Sequence, residues 1–175
     1  FPKNILDIGS GTGNISINLA ENYKFSKIVA CDIAHGMSVF AQGKRNGQSN
    51  IHIATADTET LPYPSNSFDL IASNLMFQWV TDLSKAFAEL HRVIKENGYI
   101  YLTTLAEGSL HELKDSFESA CQMSYKDTSP IFQKFNNEKE LKSLMTYTGF
   151  NNISLDTWDE IRFYPDVETL LRNLK

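Results

Sequence analysis

The chain has 175 residues, enough for one domain with a substantial core, and its 42% hydrophobic and 21% charged residues are ordinary for a globular protein. A net charge of −5 argues against nonspecific binding to nucleic acid or to an anionic membrane surface. No apolar stretch approaches the roughly 20 residues of a membrane helix, no signal peptide is visible, and Cys31 and Cys121 have no metal-type spacing, so a cytoplasmic protein without a metal is expected.

In chain order, "NILDI" (4–8) reads as a strand, followed by a glycine-rich loop and a helix from about Asn14 to Tyr23. "KIVACD" (27–32) is a second strand, with Cys31 a small buried hydrophobe, and "HGMSVFAQGKRNG" is a helix ending at Gly47. "NIHIATAD" (50–57) and "SFDLIASN" (67–74) are the third and fourth strands, joined by a connection (58–66) too short for a full helix. "TDLSKAFAELHRVIKENG" is the clearest helix: Leu83, Phe87, Leu90 and Ile94 share a face, Thr81 or Asp82 caps it and Gly98 ends it. "YIYLTTL" (99–105) is the fifth strand. Beyond it, "GSLHELKDSFESACQMS" forms a helix with Leu110, Leu113, Phe117 and Ala120 or Cys121 inward. "NNEKELKSLMTYTGF" forms another, capped by Asn137 and stopped by Gly149. "NISLDTWDEIRFY" alternates like a long strand, and "DVETLLRNLK" is a last helix. Strand followed by helix, repeated, predicts a doubly wound, mostly parallel α/β sheet with helices on both faces.

Ligands of such sheets sit beyond the carboxyl ends of the strands, where strand order reverses. Gly9, Gly11 and Gly13 there are spaced G-x-G-x-G, with Asn14 where the dinucleotide fingerprint needs its last glycine, so a nicotinamide dehydrogenase is rejected. No G-K-[ST] follows, and the loop itself carries no positive charge for a triphosphate. Asp7, at the end of the first strand, repels a pyrophosphate and attracts an ammonium group. Asp32 ends the second strand, placed to accept ribose hydroxyls, and Asp57 ends the third, placed to accept an adenine amine. Partners for ammonium, ribose and adenine, with none for phosphate, describe S-adenosylmethionine (SAM). Plainer readings stand beside these: Asp32 as a helix cap, Asp57 as a cap on the short connection with Thr58 or backbone serving adenine, and Gln78 and Trp79 as packing.

"ILDIGSGTG", "VACD", "TADTETLPY", "FDLIASN" and "LHRVIKENGYIYLTT" resemble, in order, the motifs of the class I SAM-dependent methyltransferases, a Rossmann-like fold. The resemblance covers 4–105 as the cofactor half of a single domain spanning 1–175, with 106–175 on the substrate side. It implies a cofactor set of Asp7, Gly9, Ser10, Gly11, Gly13, Asp32, Ile33, Asp57, Thr58, Asn74 and Leu75, the last two beside the sulfonium. "SNLMFQWVTDLSKAFAELHRVIKENG", "LTTLAEGSLHEL" and "LLRNLK" are further similar to the malonyl-acyl-carrier-protein O-methyltransferases of biotin synthesis. That likeness implies methylation of the free carboxylate of a malonyl group on acyl carrier protein or coenzyme A, leaving S-adenosylhomocysteine. Gln78, Trp79 and Ser109 are its substrate-side candidates. Against the family pattern the chain, from Phe1 to a terminal helix at Lys175, is expected to be truncated at both ends and to lack the last edge strand.

In-line methyl transfer chiefly needs alignment, and an ionised carboxylate needs no general base, so no catalytic acid or base is nominated. Phe77 and Trp79 are candidate apolar walls. His91 reads as surface, His111 as a helix-terminal surface residue on the ligand side, and Arg162, Arg172 and Lys175 as cations able to meet an acidic carrier. Two other functions remain: methylation of another small metabolite such as a quinone-type ring, which wants a base near the methyl group, and a non-catalytic SAM-binding sensor or partner subunit.

Overall fold

The computed structural model describes residues 1–45, 47–123 and 135–173. Asn46, Ser124, Leu174 and Lys175, which belong to the expected helices, lie outside the described residues. The apolar runs form β1 (Asn4–Ile8), β2 (Lys27–Asp32), β3 (Ile51–Thr55), β4 (Phe68–Asn74) and β5 (Ile94–Thr103). The helices are α1 (Asn14–Asn22), α2 (His35–Lys44), α3 (Leu83–Val93), α4 (His111–Met123), α5 (Glu138–Tyr147) and α6 (Val167–Asn173). The five strands are all parallel in the order β3-β2-β1-β4-β5, so strand order reverses between β1 and β4. This is the doubly wound Rossmann-like architecture expected of the class I methyltransferases.

A central parallel strand is covered on both faces, which is why β1 is apolar at nearly every position: Ile5, Leu6 and Ile8 are wholly buried. Ile5, Ile28, Ala30 and Leu70 face α1, against Ile17 and Ala20. Right-handed crossovers put α2 on that same face. Leu6, Ile8, Val29 and Ile71 face the other way, toward α3 and α5. There Phe87 stacks on Phe77 with centroids 5.2 Å apart and meets the edge of Phe150 at 6.4 Å. Each such large apolar side chain contributes about 1.5–3 kcal/mol on burial. Asp82 caps α3 through the Lys85 N–H, and Asn137 caps α5 in a reciprocal box with Glu140.

Two expectations about the elements are corrected. The α3 helix ends at Val93, and β5 begins at Ile94, opposite Phe68; the next pair is Leu70 with Tyr99, so Lys95–Gly98 form a wide bulge. Gly98 therefore sits inside the strand: a Cβ there would lie 2.7 Å from the Ile94 side chain and 3.1 Å from the Asp69 carbonyl oxygen. The alternating segment after Gly149 is not a strand; Phe150, Ile153 and Leu155 pack against the core, but no described strand lies beside it to pair with. Helix α4 and the residue before it turn Leu110, Leu113, Phe117 and Cys121 inward, each half-buried, with Cys121 rather than Ala120 on that face and no residue fully buried. Phe77, 2% exposed, packs in the core and also lines the small cavity beside Gln78, Thr104 and Leu105.

Candidate functional site

The crevice at the strand ends is built around the glycine loop. Gly9, Gly11 and Gly13 all have φ between +52° and +80°, the left-handed region that costs a side-chain-bearing residue about 1–2 kcal/mol. Gly9 is also pressed by a neighbour: a Cβ would stand 2.2 Å from Met76 Cγ, so the segment after β4 closes directly on the loop. A Cβ on Gly11 would meet nothing within 4 Å, which leaves an open cradle at the loop's centre. Ser10 Oγ is buried and has no hydrogen-bond partner among the described residues, an arrangement that favours a ligand able to supply one.

Asp7 does not open onto this crevice. Its side chain is 1% exposed beneath α1, where it accepts from Ser16 Oγ and from the Ser16 backbone N–H. Gly13, the N-cap of α1, has no side chain to offer, so a carboxylate from the neighbouring strand satisfies the helix terminus instead. Burial pushes the Asp7 carboxyl up to about 6, against the Ser16 hydrogen bonds, with the Asp32 charge adding to the rise. The expected meeting of Asp7 with an ammonium group is therefore not direct.

Asp32 faces the loop: Oδ1 accepts from the Ala34 N–H and Oδ2 from the Gly11 N–H, both at 2.8 Å, while the N-cap of α2 is Ala34, which has no side-chain cap. Each oxygen keeps a second lone pair for a hydroxyl. Asp57 Oδ1 accepts from the Glu59 N–H at 2.9 Å, and its own carbonyl accepts from the Thr60 N–H, closing the turn after β3. Its Oδ2 accepts from no described residue. Thr58 is buried, whereas Ile33 is 70% exposed as a flat apolar surface at the mouth. Lys44, from the last turn of α2, reaches the Asn14 side chain at the start of α1, so a cation does stand beside the loop, though none is in it.

The acceptor side is formed by the segments after β4 and β5. Leu75 is left-handed at φ +51° without being glycine, and its N–H is held by the Thr103 carbonyl at 2.9 Å. Asn74 Oδ1 accepts from the Thr103 hydroxyl, and Gln78 Nε2 donates to the Leu75 carbonyl at 2.7 Å. Gln78 Oε1 accepts from the Thr104 hydroxyl at 3.3 Å. Gln78 thus ties the two loops together over a cavity of about 40 Å³, lined also by Val80, Leu83, Leu105 and Leu141. Trp79 is 68% exposed and so does not act as a core anchor. Ser109 is half-buried in the turn before α4, its N–H bonded to the Ala106 carbonyl. His111 is exposed beside Glu112, and the free-cation reading of Arg162 and Arg172 changes: each pairs with a nearby glutamate, Glu160 and Glu168.

Burial pushes the Cys31 thiol below the loop up to about 12, which removes it as a nucleophile. Sequence reasoning missed Met76, Thr103 and Thr104. Their signal was position alone: they follow β4 or end β5, on the side where ligands bind.

Residues 6–102, more than half of the chain, match the family described as methyltransferase domain. The chain is 33% identical, over 99% of its length and 65% of the relative's, to a malonyl-[acyl-carrier protein] O-methyltransferase of Geobacter sulfurreducens. It is 34% identical, over 97% of its length and 48% of the relative's, to the mitochondrial arginine-hydroxylase NDUFAF5 of Rattus norvegicus. It therefore spans less than two thirds of the length of these curated relatives. Among solved structures, a phosphoethanolamine N-methyltransferase 2 of Haemonchus contortus in complex with S-adenosyl-L-methionine shares the fold, with a TM-score of 0.68 at 22% identity over 86% of this chain and 33% of that one.

Proposed function

The chain belongs to the methyltransferase domain family, and from that premise we propose that it binds SAM and methylates the free carboxylate of a malonyl thioester on acyl carrier protein, a step of biotin synthesis. The observation that carries the cofactor half is the ring of Asp32 and Asp57 at strand ends around a glycine loop with an open cradle at Gly11. The unpartnered Ser10 hydroxyl and the exposed Ile33 fit the same ligand. Asp32 would hold the ribose, Asp57 Oδ2 the adenine amine, Ile33 the flat face of the base, and Asn74 and Leu75 the wall beside the sulfonium. The malonyl acceptor is supported by relatives bearing that name along nearly the whole chain.

When bound, SAM supplies a methyl group on a sulfonium. The protein's task is then to align and to exclude water. Leu75, fixed by Thr103 and Gln78, presents a rigid edge, so the acceptor approaches along one line. A carboxylate is already ionised near neutral pH, so it needs no general base; the Gln78 Nε2 group, which spends one N–H on the Leu75 carbonyl, keeps a second to orient it, while the Thr104 hydroxyl is committed to Gln78 Oε1. A cytoplasmic setting accompanies this reading, supported by the free thiols Cys31 and Cys121.

The test incubates the chain with SAM and, separately, malonyl-acyl-carrier protein, malonyl-coenzyme A and free malonate, and reads one added methyl by mass spectrometry. Methylation of the carrier-bound malonyl group is expected, and Asp57→Ala lowers it about tenfold. Tight binding of S-adenosylhomocysteine with no methyl on any acceptor removes the malonyl assignment. The similarity to a protein named as an arginine hydroxylase favours a second reading for that case, a chain of this family that does not act as a methyltransferase.

A further inference from the structure

The turn bearing Asp57 is not held by its own strand alone. Glu59, two residues on, donates its N–H to Asp57 Oδ1 and turns its carboxylate the other way, where Oε1 accepts from the Thr81 and Asp82 N–H groups at 3.2 and 3.0 Å. Those two residues lead into α3. At the far end of α3, Glu89 Oε2 accepts from the Leu61 N–H at 2.8 Å, while Arg92 donates to the carbonyls of Leu61 and Tyr63 at 2.9 and 2.6 Å. Glu89 and Arg92 also pair with each other through two contacts of 2.7 Å, which orients both. The segment from Asp57 to Tyr63 is thus fastened along α3 at both ends of an eleven-residue rod, about 16 Å long at 1.5 Å per residue. Because Thr81 follows directly on the turn that carries Gln78 and Trp79, one carboxylate joins the base side of the crevice to its acceptor side.

We propose that Glu59 is a positioning residue that aligns Asp57 with the cofactor's base, with the Glu89–Arg92 pair anchoring the far end of the same segment. This rests on the SAM reading given above. Glu59 touches no ligand in this scheme; it acts by fixing the angle at which Asp57 Oδ2 meets the exocyclic amine. A residue that merely stitches the fold would lower affinity for every cofactor analogue alike, whereas a positioning residue alters discrimination between bases.

The experiment titrates the full chain, as wild type, Glu59→Ala and Glu59→Gln, with S-adenosylhomocysteine and with S-inosylhomocysteine, which carries an oxygen in place of the amine. Wild type is expected to prefer the adenosyl compound by about tenfold, the worth of one good hydrogen bond. Glu59→Ala should shrink that ratio toward one, and Glu59→Gln should restore it, since an amide oxygen still accepts from Thr81 and Asp82. An unchanged ratio in Glu59→Ala, with both affinities lowered alike, overturns the proposal. If wild type binds neither compound, the cofactor reading fails and the proposal goes with it. Should Glu59→Ala lose its cooperative melt, Glu59→Asp, one methylene too short to reach both N–H groups, is compared with Glu59→Gln for the same ratio, and equal ratios in the two overturn the proposal.

Discussion

Residues 4–103 and residues 104–173 are built to different standards. The first region holds all five strands, the glycine loop and nearly every fully buried side chain. In the second, Leu141 and Met145 are the only buried hydrophobic residues among the described ones, with Leu144, Phe150, Ile153 and Leu155 half-buried against the core, while Trp158, Ile161 and Phe163 are 71–94% exposed. The difference separates two tasks. Holding a cofactor needs backbone groups fixed to a fraction of an ångström, and a parallel sheet supplies that rigidity. The second region contributes one capped helix and the residues after Gly149 to the core, and it lends Thr104, Leu105, Phe135, Asn136 and Leu141 to the cavity beside Gln78.

The largest effect that sharpens this contrast comes from the shared core. Phe87→Ala removes a fully buried ring that touches both Phe77 and Phe150, and should cost about 3–5 kcal/mol by urea denaturation. A loss under 1 kcal/mol would mean that the two regions do not share this core. Next is a pH effect confined to the first region. Asp7 is raised from 3.8 to about 6, so between these values the folded state binds more proton than the unfolded one. Stability from this group is therefore full below about pH 4 and falls as pH rises to 6, by roughly 3 kcal/mol at 1.36 kcal/mol per unit. Asp7→Asn, which keeps an acceptor for Ser16, should flatten that slope; an unchanged slope would rule out Asp7 as its source. Asp69 and Glu89 act in a lower window. Burial works against Asp69, yet Lys95 and the N–H groups of Lys3 and Asn4 hold it low, and Arg92 holds Glu89 low. Their stabilisation is present above the ordinary carboxylate range and lost only as pH falls below about 4.

Gly9→Ala tests the loop itself. The added methyl must sit at φ +64° and displace Met76, so the dissociation constant of S-adenosylhomocysteine should rise at least about tenfold. Unchanged binding would show that the loop and the segment after β4 adjust independently.

Much of the first region was legible because its physics is local. Central parallel strands are unbroken apolar runs, so "NILDI" and "KIVACD" declare themselves, and the capping chemistry of Asp82 and Asn137 is written in adjacent residues. What failed depended on neighbours remote in sequence. Gly98 read as a helix stop because glycine usually is one; its real constraint is the Ile94 side chain and the Asp69 carbonyl across a bulge. The alternation after Gly149 is a true pattern, but a strand exists only where another strand pairs with it. For Asp7 the direction was readable: it shares a face with Ile5 under α1, and Ser16 lies one turn into that helix. The segment from Asp57 to Tyr63 could not be read this way, because its anchors on α3 and on the two residues before it lie 22 to 31 residues away.

The smallest effects belong to the second region and bear on it most directly. Asn137→Ala removes the side-chain half of a capping box, leaving the backbone N–H of residue 137 to donate to Glu140, and should cost about 1 kcal/mol, since α5 does reach the core through Leu141 and Met145. Phe163→Ser should change stability by no more than about 0.5 kcal/mol, because a ring 94% exposed buries almost no area against the rest of the chain. The two variants belong in one series of urea titrations with Phe87→Ala. The expected order, Phe87 far above Asn137 and Asn137 above Phe163, follows from how much of each residue's neighbourhood is the sheet core. If Phe163→Ser instead cost 1 kcal/mol or more, the segment after Leu155 would be packed in solution, and the contrast between the two regions would have to be redrawn there.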